Sequence, residues 1–276
     1  MWTLTGFADE ISPELDEQLA TLAEESIRYM ELRSVWNRNV LDLTDEELTR
    51  VKSAVRARGI GISSVGSPIG KAPITDAFEP HLERFRRALH AARVMEAPYI
   101  RVFSFFMPDG QDLGRYREEV LERMGTFADE AKDSGVTLLH ENEKEIYGDV
   151  PSRCVDILAH VDSPALRAAW DAANFVQCGV RHPFEEGYKS LRPYVEYVHV
   201  KDALADTGRV VPAGDGDGEL PETLSALHTS GFDGFFSLEP HLASSGTYSG
   251  FSGPQLFREA AGAFKRLLRR QEIEWN

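Results

Sequence analysis

Cysteine is scarce in this chain. Its 276 residues include two, Cys154 and Cys178, which is too few for a disulfide framework. Basic residues are also in deficit, with 30 Lys+Arg against 45 Asp+Glu and a formal net charge of −15. That balance argues against binding a phosphate backbone, because counterion release needs clustered Lys and Arg. No run approaches the ~18 apolar residues of a membrane span. The opening Met1-Trp-Thr-Leu-Thr-Gly-Phe-Ala-Asp-Glu10 has no basic region followed by an apolar stretch. No secretory signal is visible, and a cytoplasmic location is expected. Pro/Ser-rich linkers, charge blocks and low-complexity segments are missing too, so residues 1–276 read as one domain.

What remains is an ordinary globular composition, 42% hydrophobic, arranged as a regular alternation. Short β-branched or aromatic runs at Trp2–Phe7, Ile27–Leu32, Ile60–Val65, Tyr99–Phe103, Val136–His140, Leu166–Trp170, Val195–Val200 and Phe235–Leu238 read as strands. Amphipathic segments near 13–24, 45–58, 79–95, 113–134, 151–160, 184–192, 220–230 and 254–270 read as helices. Ser12-Pro13 marks the first helix start, and Gly59, Gly135 and Gly231 mark helix ends. Thr44-Asp-Glu-Glu47 spells a capping box. Eight strand–helix units in this length predict an α/β chain folded as a single (β/α)8 TIM barrel, which typically takes ~250 residues. A doubly wound open sheet is the alternative. It usually carries a Gly-rich phosphate loop after an early strand, and Gly6-Phe-Ala-Asp-Glu10 is no such loop.

In a barrel the chemistry sits at the C-terminal ends of the strands. The fifth strand delivers Glu141, the sixth Asp171, the seventh His199 and the eighth Glu239. Neighbouring strands lie ~4.8 Å apart, so side chains from four successive strand ends can converge on one ion. Three carboxylates and one imidazole suit a hard to borderline divalent ion. Mn²⁺ is the first choice, with Mg²⁺, Co²⁺ and Zn²⁺ also compatible. The alternative reading of any one of these residues is a helix cap or an Arg partner.

Leu138-Leu-His-Glu-Asn-Glu143, Trp170-Asp-Ala-Ala-Asn-Phe175, Val198-His-Val-Lys-Asp202 and Ser237-Leu-Glu-Pro-His241 together resemble the sugar phosphate isomerase/epimerase superfamily, the xylose isomerase-like barrels. The likeness spans essentially the whole chain. It implies one divalent metal held by Glu141, Asp171, His199 and Glu239, with Glu141 and Glu239 doubling as the acid/base pair. The implied reaction is isomerisation or epimerisation of a sugar, sugar phosphate or cyclitol by proton transfer through an enediolate. The same equipment serves a lyase or dehydratase acting on a keto-inositol, keto-sugar or 3-keto-glycoside. One departure is Asn174, where many ketose epimerases place a His that holds a substrate oxygen. The nuclease branch of the superfamily needs further His ligands. Arg33, Ser34, Ser67 and Ser104 at the ends of strands two to four, and Asn174, do not provide them. A carbohydrate partner is therefore expected, with no nucleic acid and no membrane, and with a homo-oligomer left open.

Substrate contacts are expected from Asn174, Lys201, His241 and Lys71. Lys201 follows His199 by two, so strand alternation sends both to one side. Lys71 closes Ser67-Pro-Ile-Gly-Lys71, a candidate lid after the third strand. His140 alternates away from Glu141. Glu143 and Lys144 read as an ion pair at the mouth, Arg181-His182 as solvated surface, and Asp202 as a loop hydrogen-bonder. Trp36 and Phe103 to Phe106 read as packing, with an apolar wall for a sugar as the alternative. The loop Ala213-Gly-Asp-Gly-Asp-Gly-Glu219 has the alternating acids of a calcium loop but not the EF-hand pattern, and reads as a turn into the next helix.

Overall fold

The computed structural model describes residues 1–243 and 252–276. Eight parallel strands form the barrel: β1 (Thr3–Gly6), β2 (Tyr29–Leu32), β3 (Gly61–Val65), β4 (Tyr99–Val102), β5 (Thr137–Glu141), β6 (Leu166–Asp171), β7 (Val195–Val200) and β8 (Phe235–Leu238). Each pairs with its sequence neighbours, and β8 pairs back onto β1. A parallel bridge between Phe7 and Glu31 joins the end of β1 to β2 and closes the ring. All eight strands expected from the sequence are present, so the fold is the single (β/α)8 barrel.

The outer layer is built from α1 (Leu15–Glu24), α2 (Asp45–Ala57), α3 (Phe78–Met95), α4 (Arg117–Ala131), α5 (Pro151–Val161), α6 (Ala172–Gln177), α7 (Lys189–Leu191), α8 (Leu220–Thr229) and α9 (Gly253–Arg270). The Thr44 capping box forms, with Glu47 N–H donating to Thr44 Oγ1 and Thr44 N–H to Glu47 Oε2. Three helical readings are corrected. The first helix starts at Leu15 rather than at Pro13, because Ser12 Oγ accepts from Glu14 N–H and turns the chain before the helix begins. The segment near 113–134 opens with a 3-10 turn, Leu113–Tyr116, capped by Asp112. The segment near 184–192 is a π-helical turn, Phe184–Tyr188, running into α7. The short α6 has no counterpart in the sequence reading: six residues are too few to show a helical period.

Two apolar regions divide the interior. Strand and helix faces outside the ring pack a continuous core that includes Leu4, Met30, Ile62, Ile100, Leu138, Val198 and Phe236. Inside the ring, Leu139, Ala169 and Tyr197 pack with Tyr99 and Phe235 and plug the lumen. Side chains alternate along a strand, so the inward residue two places after Tyr99, Leu139, Ala169 and Tyr197 is Arg101, Glu141, Asp171 and His199. The plug is thus the floor of a polar chamber.

Candidate active site

Glu141, Asp171, His199 and Glu239 are all buried, and each offers a ligand atom within 4.8 Å of the others. Strand geometry brings them together: β5, β6 and β7 end on Glu141, Asp171 and His199–Val200, and Glu239 follows β8. Asn142 locks two of these ends. Its Nδ2 donates to the Asp171 carbonyl at 2.8 Å, and its Oδ1 accepts from Asp171 N–H at 3.1 Å. Asp171 is also the cap of α6, with Oδ1 accepting from Asn174 N–H.

The donors around the four are dense. Lys201 Nζ donates to Glu239 Oε2 at 2.7 Å and lies 2.9 Å from Asp171 Oδ2. Arg101 Nη1 is 3.1 Å from Glu141 Oε2 and 3.8 Å from Glu239 Oε1, and Arg33 Nη1 is 3.3 Å from the same Glu239 oxygen. Both guanidinium groups lie over the Phe7 ring, and Arg101 also over Phe103. His199 Nδ1 is 3.1 Å from Glu141 Oε1.

Protonation follows this geometry. Burial would raise the Glu141 carboxyl, but His199 and Arg101 outweigh it and hold the group at about 2. Glu239 also resists burial, because Lys201, His241, His199 and Arg33 keep it well below the usual carboxylate range. At Asp171 burial wins over Lys201, helped by the charges of Glu141 and Glu239, and pushes the carboxyl up to about 6. Burial disfavours charge on His199, yet Glu141 and Glu31 raise it well above an ordinary imidazole.

Glu141 Oε2, Asp171 Oδ2 and both ring nitrogens of His199 are buried and make no hydrogen bond, only the charged contacts at 2.9–3.3 Å with Arg101, Lys201, Glu141 and Glu31. Buried polar atoms in proteins are otherwise paired, so these atoms are available to hold a cation. With one imidazole and three carboxylates the set fits a divalent ion.

The remaining expected residues fall as follows. Both amide hydrogens of Asn174 are engaged, with Nδ2 donating to Glu141 Oε1 at 3.1 Å and to the Asn142 carbonyl at 2.8 Å. Asn174 therefore braces Glu141. His241 Nε2 lies 3.1 Å from Glu10 Oε1 and 3.5 Å from Glu239 Oε1, at the edge of the chamber. Lys71 stands on the rim over Phe103 and pairs with Glu143 Oε2 at 3.1 Å. The expected Glu143–Lys144 ion pair is corrected accordingly: Glu143 reaches across the mouth to Lys71 and meets Lys144 only through its backbone N–H. His140 turns away from Glu141, toward Ser104 Oγ at 3.0 Å. Phe103 and Phe105 are buried packing, and Trp36 lies under the Arg50 guanidinium.

The glycine-acid loop is a turn, and its purpose is internal. The backbone N–H groups of Gly214, Gly216 and Gly218 donate to the buried Asp202 carboxylate, as does that of Ala203. A Cβ at Gly216 or Gly218 would run into that carboxylate. The loop cradles an anion of its own chain and thereby fastens the segment that follows Lys201.

Glu10, Glu31, Arg33, Arg101 and Asn142 belong to the site and were not assigned to it from sequence. A signal existed for two of them: Glu31 and Arg101 are lone charges inside the apolar runs Tyr-Met-Glu-Leu and Tyr-Ile-Arg-Val. Charged residues are almost never fully buried unless paired, so a charge in such a strand points into a polar chamber.

Fold and site together define a (β/α)8 barrel with a carboxylate–histidine cluster at its C-terminal mouth. The chain belongs to the xylose isomerase-like TIM barrel family, whose sequence profile matches residues 19–267. Among solved structures it is similar to D-psicose 3-epimerase with D-tagatose from Clostridium cellulolyticum H10, at 16% identity over 97% of this chain and 98% of that one, with a TM-score of 0.77. It is also similar to the probable 3-DHS dehydratase AsbF from Bacillus anthracis, at 16% identity over 96% and 98%, with a TM-score of 0.75. A third is a xylose isomerase-like TIM barrel protein from Mycobacterium smegmatis in complex with magnesium, at 18% identity over 97% of each chain, with a TM-score of 0.68. At these identities the likeness is one of fold. No curated protein matches the sequence.

Proposed function

We propose that the protein is a divalent-metal-dependent isomerase or epimerase acting on a small carbohydrate. The observation that carries this is the convergence of four buried ligand residues from successive strand ends, three of them with an atom that makes no hydrogen bond. When bound, a divalent ion such as Mn²⁺ supplies Lewis acidity toward substrate oxygens. Glu141, Asp171, His199 and Glu239 hold it.

The proton work falls to Glu141 and Glu239. Both are kept ionised by neighbouring cations, and both sit within reach of Arg101, so either can take a proton α to a carbonyl, and the carboxylic acid formed by that transfer then returns it to the enediolate. Arg101 and Lys201 are fixed cations beside the position where enediolate charge develops, which is preorganised electrostatic stabilisation. Asn174 holds Glu141 in place. His241 and Lys71 stand at the edge and rim, where they meet the outer part of a sugar.

Elimination is the second reading. It is favoured by the two donors beside Glu239, Lys201 and His241, which offer an acid apart from Glu141. A base on one side and a separate acid on the other suit loss of water or of an aglycone.

The test is Glu239→Gln saturated with Mn²⁺, followed by exchange of the α-proton of ketoses, keto-inositols and keto-glycosides into deuterated water. Loss of a general base lowers the rate ~10²–10⁴-fold, and exchange should fall by that much with the site full. Near wild-type exchange would leave Glu239 as a ligand only. Conservation of product mass marks an isomerase, and loss of water or an aglycone marks the lyase.

A further inference from the structure

We propose that Glu31 is a positioning residue for His199: it fixes the imidazole from behind and leaves Nδ1 as the nitrogen offered to the metal. The assignment rests on the metal reading above. Glu31 has 0% exposure and lies within an otherwise apolar strand. The register of β2 against β3 shifts between Met30 and Glu31, an irregularity of the kind that re-aims a side chain. Glu31 Oε2 lies 3.3 Å from His199 Nε2, the nitrogen opposite the one that faces Glu141. Tyr197 OH donates to the same carboxylate oxygen at 2.9 Å. Behind Tyr197, Ser63 Oγ lies 2.9 Å from its hydroxyl, and Thr5 Oγ1 lies 2.7 Å from Ser63 Oγ. The imidazole is also flanked by the rings of Phe7, at 5.3 Å, and Tyr197, at 5.7 Å between centroids. A metal-binding His whose far nitrogen meets a carboxylate has its tautomer and ring orientation set by that partner. A carboxylate out of water needs partners, and those of Glu31 are the Tyr197 hydroxyl and the His199 ring.

The experiment is calorimetric titration of Mn²⁺ into the chelator-stripped full chain, with visible spectra of the Co²⁺-loaded protein beside it. Loss of a carboxylate behind a ligating His weakens metal binding ~10–100-fold, and Glu31→Gln should raise Kd by that factor and shift the Co²⁺ spectrum. Glu31→Asp keeps the charge but draws it back from Nε2, so it should weaken binding as well; it serves if the Gln variant fails to fold. Ser63→Ala, at the far end of the chain of hydroxyls, should keep wild-type affinity and spectrum. Wild-type Mn²⁺ affinity in both Glu31 variants overturns the assignment while the metal reading stands, and so does an equal loss in Ser63→Ala, which would mark a packing effect. A wild-type protein that takes up no metal overturns both.

Discussion

Lys201 is a buried ammonium held between Asp171 and Glu239, so removing it leaves two buried carboxylates without that partner. Breaking a buried ion pair leaves its partner uncompensated and costs ~3–5 kcal/mol. Lys201→Met should therefore lower the unfolding free energy of the metal-free protein by about that amount in urea titrations, and Mn²⁺ should restore part of it by supplying the lost positive charge. Unchanged stability would show that the two carboxylates do not depend on the ammonium. Asp171 has two possible duties, as ligand and as cap of α6. If it is a ligand, Asp171→Ala weakens Mn²⁺ binding in calorimetry as well as loosening the helix. Wild-type affinity would leave it a cap alone. Both residues were legible because they stand at or just beyond the end of an apolar strand, where a charge is conspicuous. Arg33 and Glu10 were not, because their meaning depends on partners more than 200 residues away: Glu239 for Arg33, and His241 and Ser252 for Glu10.

The loop from Ser67 to Lys71 shows what one element contributes. Gly70 has φ +87°, and a Cβ there would overlap the Phe103 carbonyl, so the loop lies flat against the segment after β4. Gly70 N–H donates to His81 Nε2 at 2.7 Å, which requires a neutral imidazole. Burial, with Arg123 and Arg84 nearby, pushes the His81 pKa down to about 4. An unfolded His titrates near 6.5. Between those values the unfolded chain binds a proton that the folded chain refuses, so this contribution to stability is complete above ~6.5 and is lost as pH falls toward about 4. His81→Gln keeps an acceptor for Gly70 without a titrating group. Urea unfolding at pH 7 and pH 4.5 should show a larger loss for wild type than for the variant, and equal losses would remove His81 from the account. The rim residue Lys71 was readable from the sequence as an isolated cation after β3. Its anchor was not, because His81 belongs to the next helix and only the fold brings it under Gly70.

For the whole molecule the charge balance and the site point the same way. The chain carries a net charge of −15 and gathers Glu141, Asp171 and Glu239 in one buried chamber, so a divalent cation bound there should act on global stability. A ligand at 100 times its Kd stabilises by ~2.7 kcal/mol. In a chain of this size each kcal/mol is worth ~2–4 °C. Scanning calorimetry of chelator-treated protein with saturating Mn²⁺ should show a rise in Tm of ~5–10 °C, and no rise would count against a metal at the barrel mouth. No helix among the described residues is long and apolar enough to cross a membrane.

The sequence by itself determined the barrel and the convergence of Glu141, Asp171, His199 and Glu239 at its mouth. Eight short β-branched or aromatic runs, each followed by an amphipathic segment, leave few other ways to bury both faces of a parallel sheet. The C-terminal ends of those strands then share one rim, so residues at matching positions along the chain become neighbours without any knowledge of packing. Tertiary structure alone decided the rest. Glu31 is conspicuous as a charge in an apolar strand, but its partners His199 and Tyr197 lie on β7 and reach it only across the closed ring. Arg101 is a site residue because the ring brings Glu141 and Glu239 to its guanidinium, which Phe7 and Phe103 flank from beyond the ends of β1 and β4. Asp202 takes hydrogen bonds from glycines 12 to 16 residues later, because the loop folds back onto its own strand end. Periodicity is local and survives in a one-dimensional reading. Partnership between buried charges is a matter of distance, and distance is set only when the ring closes.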